Sequence, residues 1–216
     1  MAFDRQKYLQ PSLLCDFDRS PQIRRKALEL TAGCRNNGQR LLKIFEFVKE
    51  MPYGLEDWDV RASQSLKKGW GMCSGKTNLM VALLRSIGIP SRYRIYRIKA
   101  DMYMWDQAGR TIGRADRIRQ LGQQRDHVDC EVWLGKWVDC DPGRDSALEK
   151  GILKLGGKLK RRYVTDCRGR VRYLRLAVFD EWATKRQERR TFRSDRKDVF
   201  AGINSAFNRI RELGRS

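Results

Sequence analysis

Gly69-Trp70-Gly71-Met72-Cys73 runs without a break into Ser74-Gly75-Lys76-Thr77-Asn78-Leu79-Met80-Val81-Ala82-Leu83-Leu84-Arg85. A glycine-rich turn here delivers a cysteine to the first turn of an apolar helix. The helix is predicted to reach Ser86, where Gly88 and Pro90 stop it. A thiol at that position sits at the positive end of the helix dipole, which favours the nucleophilic thiolate. Backbone N–H groups at the same end lack intrahelical acceptors and can stabilise an oxyanion. Gly69 and Gly71 permit a sharp entry and a close approach of substrate backbone. The ordinary alternative is a structural cysteine in a core helix.

Gly75-Lys76-Thr77 also matches the end of a phosphate-binding loop. That motif needs a glycine five positions before Gly75, where this chain has Trp70, and no apolar strand precedes it. A nucleotide loop is therefore set aside.

The rest of the chain supplies partners for the thiol. His127 is the only histidine among 216 residues, so a cysteine–histidine pair has one candidate base. It opens a strand expected over 127–134, followed by a turn at Gly135-Lys136 and a second strand over 137–140. Asp141 follows directly. Asp126 and Asp129 flank the histidine and compete for it. A tight two-residue turn would put Asp141 across from Cys130, on the wrong face. An odd-length connection or a bulge would put it across from Asp129, diagonal to His127 and on the same face. A Cys73–His127–Asp141 site thus carries a geometric condition, and if the turn is tight Asp129 is the better orienting acid.

Elsewhere, helices are expected over 21–30 and 39–49, with a break at Asn37-Gly38 and a loop or short helix over 55–72. Residues 92–98 read as a strand whose alternation slips near Ile95-Tyr96, which suggests a bulge or an edge. Residues 106–125 form an expected basic insertion with a short helix near 114–121. Residues 151–162 are expected as a basic loop and 171–178 as a strand. Residues 179–190 and 196–213 read as outer helices.

With 41% hydrophobic residues the chain is globular. No apolar run approaches the roughly 20 residues of a membrane span. Met1 to Lys7 contains no apolar signal region, so a cytoplasmic protein with no membrane association is expected. The six cysteines are scattered, without paired metal-ligand spacing, and are expected reduced, with no metal and no cofactor. The net charge is +20, of which +12 falls in residues 143–216. Such an excess attracts polyanions: nucleic acid, an anionic surface or an acidic protein, the last including an acidic substrate. Aromatic residues interleaved with Lys/Arg on one face would favour nucleic acid. Tyr163, Tyr173, Phe179 and Phe192 occur among the basic residues without clear spacing.

Gly71-Met72-Cys73 and Leu83-Leu84-Arg85-Ser86-Ile87-Gly88-Ile89-Pro90-Ser91-Arg92 together resemble the transglutaminase-like pattern G-x-C then L-L-R-x-x-G-I-P-x-R. His127 to Val132, then Gly135-Lys136-Trp137-Val138 and Asp141-Pro142, resemble its H-x-W-x-E-V … G-x-W-V-x-x-D-P. The match covers roughly 38–143. It departs at Asp129, where the family often has an aromatic. The resemblance implies an α+β, papain-like fold: a nucleophile helix packed on an antiparallel sheet, with N-terminal helices before it and C-terminal helices after it. The catalytic domain would span 1–178, with a basic helical extension over 179–216. It also implies a Cys73 nucleophile, a His127 base and an Asp141 orienter, with an oxyanion hole from the Cys73 N–H and Gln64. The expected activity is hydrolysis of an amide bond in a protein or peptide. Transfer to an amine, as in transglutaminases proper, is the alternative, and a non-catalytic binding module is a third.

Overall fold

In the computed structural model, residues 4–99, 102–111, 113, 124–159, 162–188 and 196–216 are described. Four helices lead to the sheet: α1 (Pro21–Leu30), α2 (Asn37–Glu50), α3 (Ala62–Lys68) and α4 (Cys73–Ser86). Then come β1 (Ser91–Lys99), α5 (Met102–Thr111), β2 (Gln124–Trp133), β3 (Trp137–Cys140), α6 (Ser146–Lys154), β4 (Arg162–Tyr163), β5 (Leu174–Leu176), α7 (Asp180–Glu188) and α8 (Arg196–Arg215). The architecture is α+β, as expected.

Helix α4 is buried over its whole circumference from Cys73 to Arg85. It packs against α1, α2 and α3 and also against β1 and β2. A helix so enclosed leaves polar side chains without partners only at a cost, and most of those in α4 tie it to its surroundings. Lys76 donates to the carbonyls of Lys49 (3.0 Å) and Met51 (2.6 Å) at the end of α2. Asn78 donates to Val60, and Arg85 to the carbonyls of Gln10, Ser91 and Ala177. Burial pulls Lys76 down to about 7, against the opposing pull of Asp145.

The sheet is antiparallel, in the order β3-β2-β1-β4, with β5 also paired to β1. Strand β1 is central and pairs with β2 without interruption from Ser91↔Val132 to Lys99↔Gln124. No bulge interrupts the β2 side, but on the other side pairing stops at Ile95↔Leu174 and resumes only at Ile98↔Tyr163, so the expected irregularity falls where β5 gives way to β4. The alternation slips because Arg94, Ile95 and Tyr96 are all buried, the arginine through an ion pair and not by being apolar.

Other boundaries also moved. Asn37-Gly38 begins α2, because the Asn36 side chain caps it by accepting the Gln39 N–H. Residues 151–154 belong to α6, and β5 is shorter than the expected 171–178 strand. The helix expected near 114–121 and Phe192 lie outside the described residues. Helix α8 is no outer helix: Val199, Ile203, Ala206, Phe207 and Ile210 enter the same apolar core as α4. Its backbone crosses α6 at Gly214 and Gly151, where any side chain would strike the facing helix backbone. Among the described residues no helix is long and apolar enough to cross a membrane.

Candidate active site

Cys73 is the first residue of α4 and is 4% exposed. One turn on, Thr77 donates to the Val128 carbonyl beside His127 (3.3 Å). Residues four apart share a helix face, so the opening turns of α4 lie along the His127 segment of β2.

The hairpin meets the geometric condition. Trp133 pairs with Trp137, so the connection is the three residues Leu134-Gly135-Lys136. Gly135 has φ 85°, the left-handed conformation such a loop requires. Cys130 pairs with Cys140, and one step further Asp141 falls across from Asp129. His127 Nε2 lies 3.0 Å from Asp141 Oδ2.

The competing acids are engaged elsewhere. Asp126 pairs with Arg97 and Arg186. Asp129 is 1% exposed, and Arg94 grips both its oxygens at 2.8 Å. Tyr96 adds a third bond at 2.7 Å. Burial works against the Arg94 charge, but its bonds to Asp129 and Asp139 outweigh it and raise the group above the ordinary arginine value. Tyr96 also lies beside the histidine, edge to face at 5.4 Å. The aromatic surface that the family often supplies at position 129 comes here from the neighbouring strand. His127, Asp129 and Asp141 offer three atoms within 4.8 Å of one another, a possible cation cage. A guanidinium already neutralises one of those carboxylates, so the donor set suits an orienting network better than a metal.

Beneath the Cys73 turn lies a feature that the sequence reading missed. Glu56 is 6% exposed and accepts the Met72 N–H at 2.8 Å, while Lys68 pairs with its other oxygen. A Cβ at Gly75 would collide with this carboxylate and with Ser65 Oγ. We expect Gly75→Ala to push Glu56 off Met72, costing about 1–3 kcal/mol and slowing alkylation of Cys73. Denaturant melts and alkylation rates check this, and an unchanged rate would remove Glu56 from the account.

The approach loop is held from both sides. Gly71 exchanges backbone bonds with Pro52 and Gly54 (3.1 Å each). Asn204 of α8 bonds both backbone groups of Leu55, and Arg211 holds the Tyr53 carbonyl together with Asp145. Gln64, expected as an oxyanion donor, is exposed, and its oxygen accepts the Arg61 N–H (2.9 Å) in the first turn of α3. The geometry gives it a capping role.

Cys15, Cys73, Cys130 and Cys140 are buried, Cys34 is half-buried and Cys167 exposed, and none of the six is in a disulfide. Burial raises Cys15 to about 11 and Cys140 to about 12, and pushes Cys130 well up. These three are inert thiols at neutral pH.

The profile of the transglutaminase-like superfamily matches residues 24–142. No curated protein matches the chain. Among solved structures, a protein described as a "putative cysteine protease" from Cytophaga hutchinsonii aligns with TM-score 0.48 and 20% identity. The alignment covers 66% of this chain and 43% of that one, so this chain spans less than half the length of that protein.

Proposed function

The chain belongs to the transglutaminase-like superfamily, and from that membership we propose a cysteine-dependent acyl-transfer enzyme that hydrolyses an amide bond in a protein or peptide. The observation that carries the reading is the 3.0 Å contact between His127 Nε2 and Asp141 Oδ2. It exists because the hairpin connection has three residues.

With Nε2 turned to Asp141, Nδ1 exchanges the proton. The Cys73 thiolate attacks the amide carbonyl, and the charge that develops on oxygen is met by backbone N–H at the start of α4. The C–N bond then breaks as imidazolium gives its proton to the leaving amine, and a thioester remains on Cys73. His127 takes a proton from water, the new hydroxide attacks the thioester, and the C–S bond breaks to return the thiolate. Asp141 holds the ring in one tautomer and stabilises its cation.

Iodoacetamide labelling with mass mapping tests the assignment. Cys73 is expected to react at slightly acid pH faster than the more accessible Cys34 and Cys167, and His127→Ala abolishes this selectivity. Labelling no faster at Cys73 than at Cys167 would sink the catalytic reading. A primary amine included with a glutamine peptide then separates hydrolysis from amine transfer by product mass.

A further inference from the structure

The charge excess has a local concentration. Residues 162–176, which run from β4 through a small hairpin closed by the Thr165↔Val171 bridge to β5, contain five arginines and one acid, Asp166. That acid is absorbed by the hairpin's own turn. It accepts the N–H groups of Arg168 and Arg170 at 2.9 Å each and pairs with the Arg170 side chain. Arg168 and Arg172 are exposed and form no ion pair among the described residues.

The hairpin is also joined to the candidate active site by a run of rings. Tyr163 and Tyr173 contact Tyr96 at 5.5 and 5.2 Å, and Tyr96 contacts His127. Arg94 and Arg175 lie over Tyr173. Strand β1 separates His127 from the hairpin, a gap of about 10 Å, or two strand spacings. In the reaction above the imidazole serves the departing amine, so this is the leaving-group side of the amide.

We propose that the β4–β5 segment, with its small hairpin, is a docking arm for an acidic polypeptide segment, presenting Arg168, Arg172 and Tyr163 to substrate carboxylates and backbone on the leaving-amine side. The assignment to substrate rests on the amide chemistry proposed above. The ring geometry favours a polypeptide over single-stranded nucleic acid. The three tyrosines meet at interplanar angles of 54°, 87° and 76°, tilted or edge-on to one another and not in a stacked series. A base-binding platform needs open faces in succession. Carboxylates need only the guanidinium forks, and the net charge of +20 steers an acidic chain toward them.

The test uses the full chain with Cys73→Ala, so that turnover does not intervene, and reads fluorescence anisotropy at low and physiological salt. The probes are a short glutamate-rich peptide, the same peptide with glutamine or lysine in place of glutamate, and an oligothymidylate. The glutamate peptide is expected to bind best. The double variant Arg168→Glu/Arg172→Glu, with its fold checked by thermal melting, is expected to weaken that binding about tenfold or more and to flatten its salt dependence. Undiminished binding in the double variant overturns the proposal. So does oligothymidylate binding that exceeds the peptide's and is lost in the same variant, which makes the hairpin a nucleic-acid surface. Alkylation of the wild-type chain judges the amide chemistry separately. If Cys73 is not selectively labelled while the peptide result holds, the docking arm stands and the substrate role falls.

Discussion

For the proposed amide hydrolysis, His127→Ala is expected to lower kcat/KM by about 10⁴-fold or more, and Cys73→Ala to leave no turnover above that level. Asp141→Asn costs less, about 10²-fold. The gap between the two reflects a second support for the imidazole. Tyr96 packs edge-on against the ring and is itself locked to Asp129 and Arg94. Asp129 cannot replace Asp141, because its two oxygens are already taken by the guanidinium and the tyrosine. The comparison that decides is Asp129→Asn against Asp141→Asn with any amide substrate. Equal losses, or a larger loss at position 129, would overturn the assignment of Asp141 as the orienting acid.

Arg211→Ala destabilises the fold by about 3–5 kcal/mol, the usual cost of leaving one member of a buried ion pair alone. Arg211 is 3% exposed and so is Asp145. The carboxylate has other duties, since it caps α6 through Leu148 N–H and accepts the Tyr53 N–H. Removing the guanidinium leaves that charge in the core and releases the Tyr53 carbonyl. Adding Asp145→Asn to the variant should recover part of the loss, since the amide oxygen keeps the cap without the charge. Urea melts of the single and double variants measure both steps. A loss under about 1 kcal/mol would class the pair with surface bridges.

The Cys73 helix and the strand pair after His127 were legible because both signals are local. Turn residues and apolar spacing mark α4, and a strand–turn–strand pattern marks β2 and β3. The Asp141 contact was legible only as a condition, because it depends on one residue of loop length, and Gly135-Lys136 alone does not say whether Leu134 belongs to the strand or the turn. The alternation of β1 is hard to read because its buried Arg94 looks like a solvent position until Asp129 is placed across from it. Glu56 gave no signal at all. It lies 16 residues before Met72, and nothing in its neighbours distinguishes it from a surface glutamate. The buried face of α8 was present in the spacing of Val199, Ile203, Phe207 and Ile210, but the charges between them obscured it.

The anchoring of the approach loop by α8 has a consequence in time. Every motif residue, from Cys73 to Asp141, is made before Asn204 and Arg211. At about 5–20 residues per second, roughly 3–12 s pass between the synthesis of Asp141 and that of Asn204. During that interval the Leu55 N–H and the Tyr53 carbonyl lack the side chains that hold them, although Glu56 already holds the Met72 N–H. The order of synthesis thus adds last the helix that braces the loop leading to Cys73, and full anchoring of that loop waits for α8.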